Sequence, residues 1–166
     1  MRLTLVAFIL SVILGTGSLA YGYSQMGLTN SARWFILLGV LWLLAHWRKY
    51  YWFSSVALFI LLIAAAFGVW VEFPTIWMLL GSLGGLLGWD LSDFARRLSY
   101  ASFTDDIVGM EHRHLARVGI VAALGFGLAL LSLYIRINRL AFEVAVGLVL
   151  LAALGLTRLV IGLRKY

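Results

Sequence analysis

Two short spacings in this chain bring together side chains that could do chemistry: Asp90-x-x-Asp93 and Glu111-x-x-His114. In a helix, residues three apart lie on one face, so each pair would project two ligands from one side. Carboxylates joined by imidazole suit Mn, Fe or Zn, or an acid/base couple. His46 would join them if its helix ends at the same membrane face. The candidate metal or acid/base cluster is therefore Asp90, Asp93, Glu111, His114 and His46, with a divalent metal as its cofactor. Glu-x-x-His is also one element of the di-iron pattern of helical bundles. That pattern needs it twice, with further glutamates, and here it occurs once. A simpler account competes: Asp93 precedes Arg96 and Arg97 by three and four residues, and charged residues at helix ends commonly form solvated ion pairs.

The segment 90–117 holds five of the seven acidic residues, two of the three histidines and four of the thirteen Lys/Arg. Arg96, Arg97, Arg113 and Arg117 form a second candidate set, for lipid or a partner, since each basic residue near anionic headgroups contributes about 1 kcal/mol. Helix ends account for several acids. Asp90–Leu98 continues the preceding helix beyond the membrane. Thr104 before Asp105-Asp106 reads as an N-cap with acidic first-turn residues, and Ser102-x-x-Asp105 as an alternative capping box. A helix starting there runs through Glu111–Arg117 into the next span. The run Asp90-Leu-Ser-Asp93-Phe-Ala-Arg96 superficially looks like the opening of the CDP-alcohol phosphotransferase motif. Phe rather than Gly follows Asp93, and Ala-Arg comes two residues early, so no residue role carries over. His46, His112 and His114 could share a face for haem, although axial ligation favours a histidine inside a span. No nucleophile triad, phosphate loop or intramembrane protease motif is visible.

The elements that must position these residues follow from composition. The 166 residues are 63% hydrophobic and 12% charged, with a mean hydropathy of +1.00. Soluble domains carry about 25% charged residues, so a chain this poor in them takes lipid as solvent. There is no cysteine, hence no disulfide, thiol nucleophile or thiolate site. The net charge of +6 does not point to nucleic acid, because no basic stretch is long enough to follow a phosphate backbone.

A span needs about 20 mostly apolar residues. Six runs qualify, near 3–21, 32–47, 51–71, 75–89, 118–135 and 140–163. The expected fold is all-α: a polytopic integral membrane protein, one domain over 1–166, a compact bundle of six transmembrane helices. Glu72-Phe-Pro74 reads as a tight interfacial turn. With the N-terminus inside, ten basic residues fall on the inner side and only Arg33, Arg136 and Arg139 on the outer, which predicts both termini in the cytoplasm of a plasma (inner) membrane. Trp47, Tyr50, Tyr51, Trp52 and Trp89 form an inner aromatic belt, and Tyr21, Tyr23, Trp34, Trp70, Trp77 and Tyr134 an outer one. Ser18-Leu19-Ala20 after an apolar run has the outline of a signal-peptide cleavage site; we keep that run as a span.

Helices in lipid associate through small residues. Gly81/Gly85 and Gly84/Gly88 mark such a face, as do Gly119/Ala123 and Gly125/Ala129, which predicts the fourth and fifth spans at the bundle's centre. Ordinary packing within the chain is favoured over a homo-oligomer seam at Gly81/Gly85. Glu143 pairs by spacing with Arg139, and Arg158 can snorkel or reach the 90–117 acids. No chain of carboxylates crosses the bilayer, which counts against a cation-coupled pump, and no two matching halves support an inverted-repeat transporter. The function expected is a small non-catalytic subunit or scaffold that binds a membrane partner or lipid through 90–117. The alternatives are a metal-dependent enzyme at the inner interface and a small transporter or channel.

Overall fold

A computed structural model of the chain describes residues 2–100 and 107–134. They form five helices and no strand: α1 (Arg2–Gln25), α2 (Thr29–Trp47), α3 (Trp52–Trp70), α4 (Thr75–Leu98) and α5 (Ile107–Tyr134). Three are long and apolar enough to cross a bilayer, over Leu3–Gln25, Trp52–Trp70 and Val108–Leu130. The chain divides into two compact units, Met1–Ala129 and Leu130–Tyr166, and all packing described below lies within the first. The sixth expected span, Arg139, Glu143 and Arg158, and the capping residues Ser102–Asp106 lie outside the described residues.

The first four helices are joined by three turns of one design. In each, a backbone N–H reaches back five residues beyond the helix end: Leu28 to Tyr23 O (3.1 Å), Tyr50 to Ala45 O (2.8 Å) and Phe73 to Gly68 O (2.9 Å). This is the Schellman closure, which places the residue before the donor in the left-handed region. Those residues are Gly27 (φ 80), Lys49 (φ 61) and Glu72 (φ 63). Glycine takes that conformation freely; Lys49 and Glu72 take it against a steric cost of about 1 kcal/mol. The Glu72-Phe-Pro74 turn is thus present, with Pro74 preceding the first residue of α4.

Helices α1 and α4 run antiparallel in backbone contact. A Cβ added at Gly84 would lie 2.6 Å from Gly15 Cα and 2.8 Å from Ser11 O, and one at Gly81 would overlap Leu19. Around this seam, α2 packs Gly39 against Thr16, and α3 packs Leu61 against Gly85 and Gly68 against Met78. Phe8, Val12, Leu19, Trp42, Leu61 and Met78 are fully buried there. Outward-facing Leu10, Ile13, Ile36, Phe59 and Ile63 are more than half exposed, an apolar surface that lipid would cover.

The expected centre is corrected here. Among the described residues it is α1, rather than α5, that packs closely on α4. The glycine face of α4 is filled by Gly15 and Leu19, so the face carrying Gly81 and Gly85 is used within the chain. Among the described residues nothing lies within 4 Å of a Cβ placed at Gly119, Gly125 or Gly127 of α5, and Ile120, Val121, Leu124 and Leu128 are all more than 60% exposed. Small residues permit close approach but do not choose a partner. Gly84 meets a glycine in α1, whereas the small residues of α5 meet no neighbour among the described residues.

Candidate functional site

One end of the bundle gathers the polar side chains. Helix α4 runs unbroken from Thr75 through Asp90 and Asp93 to Leu98, and α5 carries Glu111 and His114 in its first two turns. Because α1, α3 and α5 start at this end while α2 and α4 finish there, Thr4, His46, Ser54, Asp90 and Glu111 all fall near one level.

The two i,i+3 pairs do not stay together. Asp90 Oδ2 lies 2.8 Å from His114 Nε2, and the His114 ring stacks on Phe94 with centroids 3.8 Å apart and planes at 11°. Asp93 turns away from them. Its Oδ1 pairs with Arg96, and its Oδ2 accepts from Arg97 Nε at 2.9 Å. Glu111 is buried and its Oε1 accepts from the Thr4 hydroxyl of α1 at 2.8 Å. The reason lies in helical geometry: three residues of helix advance about 300°, so Asp90 and Asp93 point about 60° apart. That angle is enough to send one to α5 and the other to its own helix's arginines.

His46 takes a third course. Its Nδ1 lies 3.2 Å from Ser92 Oγ, and its ring stacks on Phe8 with centroids 4.1 Å apart. Ser92 also accepts from the Ser54 hydroxyl (2.7 Å), which in turn accepts from Trp42 Nε1 (2.9 Å). Ser92 Oγ thus accepts from Ser54 and lies within hydrogen-bond distance of His46 Nδ1. This chain ties α2, α3 and α4 together in a region where an unpaired polar group would be costly. Among the described residues no buried side-chain nitrogen or oxygen lacks a partner.

Catalytic zinc sites take three protein ligands. Among the described residues, no three His, Asp or Glu side chains come together in a group able to hold a metal. What converges is the Asp90–His114 couple, a carboxylate and an imidazole, with the imidazole stacked on Phe94. On the side of α4 that faces α3, a separate small polar cleft of 120 Å³ is lined by Tyr51, Trp52, Ser54, Ser55, Trp89, Asp93 and Arg96. A larger groove of 620 Å³ opens between α4 and α5. Its walls are Leu83, Leu86, Leu87, Trp89, Val118, Val121, Ala122 and Gly125, and its mouth is Asp90, Arg97, His114 and Arg117. Arg113 and Arg117 are exposed on α5. Arg117 has no ion-pair partner among the described residues.

Trp42, Ser54, Ser92, Thr4 and Phe94 were not among the residues singled out by spacing. A stripe in α4 could have shown one of them: Leu83, Leu87, Asp90, Phe94 and Arg97 fall at i, i+4, i+7, i+11 and i+14, one continuous helix face. For the serines no such signal exists, because Ser54 and Ser92 lie 38 residues apart. Comparison with known proteins yields no match to any family model, curated protein or solved structure.

Proposed function

We propose that this is a small multi-pass protein of a plasma (inner) membrane, with six spans and both termini in the cytoplasm. It would act without catalysis, as a subunit or scaffold that binds a membrane partner or lipid through residues 90–117. Support for the span count comes from the turns. α1 and α3 are apolar enough to cross, and α2, which joins them through turns of a few residues, has 19 residues and is about 28 Å long. Support for the orientation is the excess of Lys/Arg at the end where α2 and α4 finish.

The observation that carries the binding role is the pairing at that end. Asp93, Glu111 and His46 are each engaged in contacts that hold helices or helix ends, while Arg97, which shares Asp93 with Arg96, and Arg117 are exposed and line the mouth of a groove. The enzyme reading keeps one favourable observation, the Asp90–His114 couple at that same mouth.

Single cysteines in this cysteine-free chain test the topology. Lys49→Cys should react with an impermeant maleimide only from the cytoplasmic side and Glu72→Cys only from the other; labelling of both from one side refutes the arrangement. Arg96→Glu/Arg97→Glu should release a partner that co-purifies with the wild type in mild detergent, and a wild type that purifies alone rejects the subunit role. Purified protein should carry no stoichiometric Mn, Fe or Zn. Stoichiometric metal that disappears in His114→Gln would replace this reading with the enzyme.

A further inference from the structure

The geometry points to the groove between α4 and α5 as a binding site for a monoanionic glycerophospholipid, one acyl chain along the groove and the phosphate on Arg97 and Arg117. This rests on the membrane-binding role above and names its ligand. The walls, from Leu83 and Leu87 on α4 to Val121, Ala122 and Gly125 on α5, are apolar. From Asp90 to Leu83 they extend about 10 Å of helix rise, within the about 15 Å depth of one leaflet. At the mouth the lining turns charged, and Trp89 stands beside it, a residue type that favours the headgroup level.

Charge selects the occupant. Two arginines and one aspartate line the mouth, a net of one positive charge, and Asp90 Oδ2 is already engaged by His114. Asp93 shares its one carboxylate between Arg96 and Arg97, so neither arginine has a carboxylate of its own. A phosphodiester with an uncharged headgroup brings the single negative charge that balances this site. A second copy would present the same basic end.

The test uses the full chain in mild detergent, titrated by native mass spectrometry with phosphatidylglycerol, phosphatidylcholine and inorganic phosphate. Each arginine close to an anionic headgroup is worth about fivefold in affinity. With one net positive charge at the mouth, phosphatidylglycerol should therefore bind about fivefold more tightly than phosphatidylcholine, and inorganic phosphate should not bind. Arg117→Gln should lower the preference about fivefold, Arg117→Lys should keep it, and Arg33→Gln, at the opposite end, should leave it unchanged. Gly125→Phe, at a position with open space around it, should abolish retention of both lipids while the protein remains folded by circular dichroism. A photoreactive benzoylphenylalanine at Val121 should attach to lipid. Equal affinity for the two lipids, an equal loss in Arg33→Gln, or attachment of the Val121 probe to residues 140–163 or to a second copy each overturns the site. If the lipid preference is absent but Arg96→Glu/Arg97→Glu still releases a partner, the lipid site falls and the subunit role stands.

Discussion

Helix α4 is packed in opposite ways on its two sides. Toward α1 it presents Gly81, Gly84 and Gly88, and backbone meets backbone. Toward α5 it presents Leu83, Leu87 and Asp90, and a groove of 620 Å³ remains. Lipid tails are as apolar as leucine, so burial alone cannot decide which face closes; close dispersion contact can. The glycine face closes because its partner also offers a glycine. Among the described residues the leucine face is held to α5 at one end, by Asp90–His114 and the His114–Phe94 stack, beside a Thr4–Glu111 bond that ties α5 to α1.

The largest effect should come from removing that contrast. Gly84→Ala places a methyl against the Gly15 backbone, which has no side chain that can yield. Overpacking of this kind costs about 1–3 kcal/mol or more, read as a lowered thermal midpoint in detergent. Gly17→Ala on the same α1 helix faces open space and serves as the control. Second, Ser54→Val removes the acceptor of Trp42 Nε1 and the donor to Ser92. Leaving a buried donor unpaired costs about 1–3 kcal/mol, and the same midpoint should fall, with a change in tryptophan emission. Third, Asp90→Asn weakens the α4–α5 tether. The pair is partly exposed, so the global loss should be at most about 1 kcal/mol. Hydrogen exchange at 108–118 should rise while α1 and α4 stay protected, and equal loosening of all three would show the two sides to be energetically one. Smallest is Gly127→Ala on α5. With nothing within 4 Å it should leave stability unchanged or raise it by up to about 1 kcal/mol through helix propensity.

The helices themselves were legible in the sequence. Apolar runs bounded by charges located α1 to α4, and the Glu72-Phe-Pro74 turn, the extension of α4 to Leu98 and the Asp93–Arg96/Arg97 pairs all follow from local spacing. What local spacing does not carry is rotation of one helix against another. Asp90 and Asp93 look equivalent in the sequence, yet only Asp90 shares the face of Phe94 and meets His114. His46 appeared free to join the acids, but Phe8 and Ser92 claim it from helices whose approach is set by distant glycines. The small pairs of α5 meet no neighbour among the described residues, because a small residue is only half of a contact and its spacing does not name the other half.

The left-handed turns at Gly27, Lys49 and Glu72 bear on how such a chain enters a bilayer. Each is too short to leave slack between its helices. α1 and α3 are apolar enough to cross by length and composition, whereas α2 carries Arg33 in its first turns and α4 carries Asp90 and Asp93 toward its end. In the six-span arrangement each weaker helix is therefore delivered as the second arm of a hairpin, its insertion cost offset by the stronger arm before it. Lengthening the Glu72 turn with a flexible linker would uncouple the two arms, and the polar end of α4 would then have to enter without that help.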